Sequence, residues 1–154
     1  MEGVRGLHHV AWCVRPENMD RARAYWEEAI GLDRMEDLDL ADLGIRVLVS
    51  WDGGVEIMCP TNEEGSMAVA VRRFLDERGE GVYSVVYNVA DIAATSAKIV
   101  ADGGQLVFEE LIPAEAVDER QLATDPVQDR FSIKQALYED ICGMRVCLQE
   151  ITKE

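Results

Sequence analysis

The chain has 154 residues, of which 48% are hydrophobic and 29% charged, proportions typical of a globular protein rather than of a disordered segment. Its net charge of −15 disfavours nucleic acid and membranes as partners, because dispersed acidic residues repel phosphate groups over most of the surface. Since no apolar run has the length of a signal peptide or a spanning helix, we expect a cytoplasmic protein.

The first predicted element is a strand over residues 6–14, in which His9 faces one side and Val10 the other. A helix is predicted to follow, because apolar residues then recur at three- and four-residue steps. Asn18 or the turn before it can cap the start of this helix, and Gly31 can supply the left-handed residue that ends it.

Three further strands are predicted at residues 33–40, 45–51 and 55–59. The Asp-Gly pair between the last two is a good hairpin signal. After a polar loop, Ser66 can cap a connecting helix over about 66–78. The first half of the chain therefore reads as a strand, a helix and three strands.

The second half repeats this pattern. A strand at 82–89 leads into a helix capped by Asp91, and three more strands are predicted at residues 106–109, 133–139 and 144–150. The polar stretch from 112 to about 130 contains two prolines and is predicted to be a long loop, a feature that is often functional.

The two halves align at a spacing of 75 residues, which places His9 on Ser84. Repetition at about half the chain length indicates two like modules rather than one irregular domain. We predict a single α+β domain over 1–154, with one βαβββ module at about 5–61 and a second at about 81–151.

This arrangement resembles the vicinal oxygen chelate superfamily, which includes glyoxalase I, bleomycin resistance proteins, extradiol dioxygenases and methylmalonyl-CoA epimerase. The resemblance covers nearly the whole chain and rests on the strand Leu7-His8-His9-Val10-Ala11, the helix end Tyr25-Trp26-Glu27-Glu28-Ala29-Ile30-Gly31-Leu32, the strand Val55-Glu56-Ile57-Met58 and the partial repeat from Gly81. It implies two modules whose sheets form one cup-shaped mixed sheet with the helices outside. Uncovered strand edges and the resemblance together favour a homodimer.

Members of the superfamily usually hold a divalent metal in the cup with a His or Gln and a Glu from each module. The matching positions here are His9 and Glu56 in the first module and Ser84 and Cys147 in the second. A hydroxyl is a poor ligand, and a thiolate suits zinc better than hard ions. The ligand set is therefore incomplete. Two alternatives follow: the protein has no cofactor, or His9, Glu56 and Cys147 hold a divalent ion such as zinc, manganese, iron or nickel.

Strand alternation identifies the side chains expected to line the cup. His9 is either a metal ligand or a hydrogen-bonded histidine beside the cavity. Glu56 is either a partly exposed strand-end carboxylate or one compensated by a metal, by His9, by Arg145 or by a raised pKa that makes it a general acid or base. Ligand binding is predicted for Ser84, Asn88, Arg145, Cys147, Leu48 and Ser50.

Arg145 could bind a substrate carboxylate in bidentate fashion, although a solvated arginine at a sheet edge is the more frequent outcome. The aromatic residues Trp12, Tyr83 and Tyr87 share the helix-facing side, so they are predicted to pack in the core rather than to form a ligand box. The four cysteines show no metal or redox spacing and are expected to be mostly reduced core thiols.

Two functions fit these observations. One is a binding protein, similar to the bleomycin resistance branch, that holds a small organic metabolite without a complete metal site. The alternative is a metal-dependent lyase, isomerase or dioxygenase-like enzyme that uses His9 and Glu56 as catalytic residues. The incomplete ligand set favours the binding protein, whereas the presence of both His9 and Glu56 favours the enzyme; of the two, we expect a metal-independent small-molecule site.

Overall fold

The computed structural model describes residues 4–119 and 131–153. Its strands are β1 (Val4–Cys13), β2 (Glu36–Leu40), β3 (Ile45–Ser50), β4 (Val55–Pro60), β5 (Gly81–Val89), β6 (Gln105–Ile112), β7 (Phe131–Ile141) and β8 (Met144–Lys153). Its helices are α1 (Met19–Ala24), α2 (Ser66–Arg78), α3 (Ile92–Ala101) and α4 (Ala114–Glu119); a 3-10 turn (Pro16–Asn18) precedes α1 and a π-helix (Tyr25–Ile30) continues it. None of the helices in these two stretches is long and apolar enough to cross a membrane.

This order of elements confirms the predicted α+β class with two βαβββ modules. The predicted loop after β6 is wrong in its first part, because α4 occupies positions 114–119. Ala114 and Val117, three residues apart, are both buried and give this short helix an apolar side. The remainder of the predicted loop, at 120–130, lies outside the described residues.

The predicted helix ends are partly confirmed. The Asp91 side chain accepts a hydrogen bond from the Ala94 amide, and Gly31 adopts a left-handed φ of 86°. The Asn18 side chain, however, does not cap α1 but donates to Glu80 Oε1 over 2.7 Å. Ser66 is the first residue of α2 rather than its cap.

The chain divides into two compact units, which we call the first unit (His9–Tyr83) and the second unit (Met1–His8 with Ser84–Glu154). The boundary runs through β1, and α2 belongs to the first unit. The organisation of the whole chain as a single domain stays a prediction.

The first unit contains four strands in the order β2-β3-β4-β1, with β1 parallel to β4 and the other pairs antiparallel. One face of this sheet packs against α1 and the π-helix. The core on that side consists of Met19, Met35, Leu48, Val55, Ile57 and Cys59, with Trp12, Val14, Ala22, Trp26 and Leu32 packed against it. Burial raises the pKa of the Cys59 thiol, as expected for a reduced core cysteine.

The second unit repeats this arrangement in the order β5-β8-β7-β6, with β5 parallel to β8. Val85 lies opposite Val146 just as Val10 lies opposite Val55, so the strand register agrees with the predicted alignment of the two halves. One face of the sheet packs on α3 through Val89, Ile92, Ala136, Tyr138 and Leu148.

Candidate functional site

His9 and Glu56 meet on the face of the first unit's sheet that points away from α1. Ala11 lies opposite Glu56 across the parallel pair of β1 and β4, and His9 shares the face of Ala11 by alternation. His9 Nε2 lies 3.1 Å from Glu56 Oε2. His9 is only 4% exposed, whereas the Glu56 side chain keeps 18% of its surface exposed. Of the partners predicted for Glu56, His9 is therefore the one that contacts it in the structure.

Trp51 packs against His9 in an edge-on arrangement. The two ring centroids are 5.7 Å apart and the ring planes lie at 79°. The turn after β3 brings the indole there, because the Val10 amide donates to the carbonyl of Gly54 in that turn over 2.9 Å. Sequence reasoning did not single out Trp51 for the site. Trp51 lies directly before the Asp-Gly turn that leads into β4. This position could have been used to place it near the site.

The nearest neighbours of the pair on this face are apolar. The buried residues on this face include Ala11, Cys13, Val49 and Met58, since Val49 lies opposite Glu56 and Met58 follows two residues later on β4. A few polar groups set in an apolar surface are typical of small-molecule sites.

The side chains of Leu48 and Ser50 do not lie on this face, so neither residue belongs to the candidate site. Leu48 lies opposite Ile57 rather than Glu56, and it is fully buried in the core that packs on α1. Ser50 shares its side of the strand, and its hydroxyl accepts a hydrogen bond from the Gly53 amide in the turn. The prediction placed both side chains on the wrong face of β3. A shift of one residue in the strand register is enough to turn a side chain to the opposite face of the sheet.

Ser84 and Cys147, at the matching positions of the second unit, are both buried. The Cys147 thiol lies 3.6 Å from the Leu148 carbonyl oxygen. Within residues 4–119 and 131–153, no three His, Cys, Asp or Glu side chains gather in a way that could hold a metal ion. Of the four residues at the superfamily's ligand positions, His9 and Glu56 carry groups that commonly bind divalent ions, whereas the Ser84 hydroxyl is a poor ligand and the Cys147 thiol suits zinc better than hard ions.

Arg145 is ion-paired with Glu139 of the neighbouring strand β7. The alternative of a solvated arginine at a sheet edge does not hold, because Arg145 is only 8% exposed. Its charge is already matched, so a substrate carboxylate would compete with Glu139. Glu139 went unnoticed in the sequence because the pairing of β7 with β8 is irregular between Tyr138 and Ile141.

Asn88 takes part in a line of amide side chains. The Gln149 amide donates to Asn88 Oδ1 over 3.1 Å, and the Gln135 amide donates to Gln149 Oε1 over 2.8 Å. Gln135 was not predicted as a site residue, although it is a polar residue between Ile133 and Leu137 on the same side of β7. The ligand-binding roles of Asn88, Ser84, Arg145 and Cys147 stay predictions.

Comparisons with known proteins agree with this architecture. Residues 5–123 match the family model described as the glyoxalase/bleomycin resistance protein/dioxygenase superfamily. No curated protein matches the sequence. Among solved structures, methylmalonyl-CoA epimerase from Mycobacterium tuberculosis is 24% identical, with a TM-score of 0.63 over 97% of this chain and 90% of that one.

Two further structures show the same fold. Streptomyces coelicolor methylmalonyl-CoA epimerase in complex with 2-nitronate-propionyl-CoA is 18% identical, with a TM-score of 0.62 over 96% of this chain and 97% of the other. The hypothetical protein BH1468 from Bacillus halodurans C-125 is also 18% identical, with a TM-score of 0.61 over 96% and 95%. The family match and the βαβββ repeat lead to the same conclusion: this chain belongs to the glyoxalase/bleomycin resistance protein/dioxygenase superfamily.

Proposed function

We propose that this protein binds a small organic molecule beside the His9–Glu56 pair and does so without a resident metal ion. The observation that carries the proposal is the 3.1 Å contact between His9 Nε2 and Glu56 Oε2, whose nearest neighbours on this face, Ala11, Val49 and Met58, are apolar. The contact gives each polar group a partner, and it leaves part of the Glu56 carboxylate accessible to a ligand.

The chemistry of this face indicates the kind of ligand. The accessible part of the Glu56 carboxylate can accept a hydrogen bond from a ligand hydroxyl or amide. The Trp51 ring, which is partly exposed, lies beside His9 and offers apolar contact area to a hydrocarbon or aromatic body. A compound with an apolar body and at least one hydrogen-bond donor would satisfy both.

The donor set supports a site that works without metal. His9 and Glu56 supply two ligands, and the matching positions of the second unit hold a hydroxyl and a thiol, Ser84 and Cys147. Two protein ligands bind a divalent ion weakly. The pair is therefore better suited to hydrogen bonding than to coordination.

Thermal-shift measurements on the full chain test this proposal. A panel of small organic metabolites is screened in the presence of a chelator, with wild type, Glu56→Gln and the control Glu28→Gln, which changes an exposed carboxylate on the π-helix, away from this face. We expect some compounds to raise the melting temperature of wild type and Glu28→Gln in the presence of the chelator, with a smaller effect on Glu56→Gln. Stabilisation that needs added metal, or that is equal in all three proteins, contradicts the proposal.

A second candidate is an isomerase in which Glu56 removes a proton from a bound substrate. The carboxylate lies against His9, which could donate to it and hold it in place, as the partner of a general base does. The solved neighbours named methylmalonyl-CoA epimerases make acyl-CoA esters reasonable substrates to test. Exchange of deuterium from solvent into methylmalonyl-CoA, present with wild type and lost with Glu56→Gln, would favour this function over simple binding.

A further inference from the structure

We call the face of the first unit's sheet that carries His9 and Glu56 the site face. Glu36 of β2 lies opposite Val49, and Val49 lies opposite Glu56, so both carboxylates lie on this face. Arg46 is the basic residue of β2, β3 and β4, and strand alternation from Val49 places it on the other face. The strand residues of the site face therefore favour a cation over an anion.

The Glu56 carboxylate can bind more than His9. One of its oxygens, Oε2, lies 3.1 Å from His9 Nε2, and the side chain keeps 18% of its surface exposed. A carboxylate has two oxygens with about four lone-pair sites, so it can accept further hydrogen bonds. A neutral imidazole that donates its Nε2–H leaves the negative charge of the carboxylate in place. A donor with a positive charge suits this position best, because a charge-assisted hydrogen bond is roughly twice as strong as a neutral one.

Trp51 brings an aromatic ring to the same position. Val49 lies opposite Glu56, and Trp51 follows Val49 by two residues on the same side, so Trp51 and Glu56 are diagonal neighbours. Such neighbours are about 7–8 Å apart, within reach of an aromatic and a long side chain. Both side chains also contact His9, Trp51 with ring centroids 5.7 Å apart and Glu56 through its carboxylate. One cationic group can therefore contact the Trp51 ring and the Glu56 carboxylate together.

An aromatic ring strengthens the preference for a cation. The electron-rich face of an aromatic ring attracts ammonium groups within about 6 Å of its centroid, and tryptophan does so best. The Trp51 side chain is partly exposed, so a ligand can reach it. The net charge of −15 adds a long-range attraction that draws cations toward the surface.

We propose that the site beside His9 and Glu56 selects organic ammonium compounds, the protonated amines, over neutral and anionic compounds of the same shape. This inference rests on the proposed small-molecule function and names the ligand class of that same site. The ammonium group donates a hydrogen bond to Glu56 and lies against the Trp51 ring. An anionic compound would instead meet the charges of Glu36 and Glu56.

Two probes of the same shape test the selectivity. Benzylamine is protonated at neutral pH and benzyl alcohol is neutral, and NMR titration measures their binding to the full chain at an ionic strength of about 0.15 M. Glu56→Gln removes the charge and keeps an oxygen that can accept from His9, and Glu28→Gln on the π-helix is its exposed control. Trp51→Leu removes the ring, and Tyr25→Leu removes an exposed aromatic side chain elsewhere.

We expect benzylamine to bind wild type and Glu28→Gln about five- to tenfold more tightly than benzyl alcohol, the gain of a charge-assisted over a neutral hydrogen bond. Glu56→Gln should reduce this preference to about twofold or less. Trp51→Leu should weaken benzylamine binding about two- to fivefold, and Tyr25→Leu should leave it unchanged.

Three results overturn the selectivity. The first is equal binding of the two probes to wild type, a comparison that depends on no variant. The second is an amine preference that persists in a folded Glu56→Gln variant. The third is a preference that Glu28→Gln reduces as much as Glu56→Gln does, since the overall negative charge alone would then attract the amine.

The selectivity and the proposed function fail separately. Neutral compounds that stabilise the protein through Glu56, combined with equal binding of benzylamine and benzyl alcohol, reject the selectivity and keep the proposed function. A panel in which no stabilisation depends on Glu56, combined with benzylamine binding that Glu56→Gln leaves unchanged, rejects both.

Discussion

His9 and Glu56 lie on neighbouring parallel strands with Nε2 and Oε2 3.1 Å apart, and the histidine is almost completely buried. The carboxylate can accept a hydrogen bond from the imidazole N–H, so each side chain offsets part of the cost of removing the other from water. This coupling should be measurable in stability as well as in ligand binding.

Removing the carboxylate should destabilise the protein. We expect Glu56→Leu to lower the free energy of unfolding by about 1–3 kcal/mol, because the buried His9 Nε2–H loses this acceptor. The double variant His9→Leu/Glu56→Leu should be less destabilised than the sum of the single variants. Urea denaturation measures all three, with Glu28→Leu on the π-helix as an exposed control that should change stability by less than about 0.5 kcal/mol. Strict additivity would show that the contact contributes nothing.

Cys147 should behave as a core thiol rather than as a metal ligand. It is buried between Val86 and Leu137 in adjacent strands. We expect Cys147→Ser to cost about 1–3 kcal/mol, because it places a hydroxyl in an apolar row, and to leave the heat of zinc titration unchanged. Cys142→Ser, at an exposed turn position, is the control for both measurements. Zinc binding that strengthens with pH and disappears in Cys147→Ser would overturn this assignment.

The acid stability of the first unit should depend on Asp37. Its carboxylate accepts hydrogen bonds from Arg46 and Arg23, and the Arg46 hydrogen bond is the main cause that lowers the pKa of Asp37 to about 2. A depressed carboxyl pKa contributes stability above the unfolded-state pKa, and this contribution is lost as the pH falls through the folded-state value.

We therefore expect Asp37→Asn to lower the free energy of unfolding at neutral pH by about 1 kcal/mol or less, since the site is partly exposed. The difference from wild type should shrink between about pH 4 and pH 2. Asp39→Asn, an exposed acid two residues along β2, should show a smaller difference. Denaturation curves at several pH values measure this, and a difference that does not vary with pH would refute it.

The homodimer stays a prediction, and the edge of the second unit offers a reason for it. β6 is the last strand in that unit's sheet order and exposes Leu106 and Leu111. Open strand edges with apolar side chains are commonly covered by a partner. Light scattering at micromolar concentration should give a mass near twice 17.2 kDa. A mass of one chain would reject the prediction.

The resemblance to the superfamily predicted the central pair, and strand alternation agreed with it. A period of two places His9, Ala11 and Cys13 on one side of β1, and the Asp-Gly turn marks where β4 begins. The alignment of the halves also predicted that Cys147 occupies the position of Glu56, and the register of β5 with β8 agrees. Alternation within each strand depends on local sequence, whereas the pairing of β1 with β4 does not.

Contacts that depend on register could not be predicted in the same way. Leu48 was assigned to the wrong face because the phase of β3 relative to β4 is set by the turn that joins them. The Arg145–Glu139 ion pair depends on an irregular stretch of the β7–β8 hairpin. The hydrogen bond from Gln135 to Gln149 could not be predicted, because it depends on the pairing of β7 with β8, which the sequence of one strand does not specify.

Elemental analysis of the full chain, purified without chelators or added metals, tests the metal-free account most directly. We expect zinc, manganese, iron and nickel to be far below one ion per chain, because His9 and Glu56 supply only two ligands. A stoichiometric ion that is retained on purification and lost in Glu56→Gln would contradict the account, since it would make the His9–Glu56 pair a metal site.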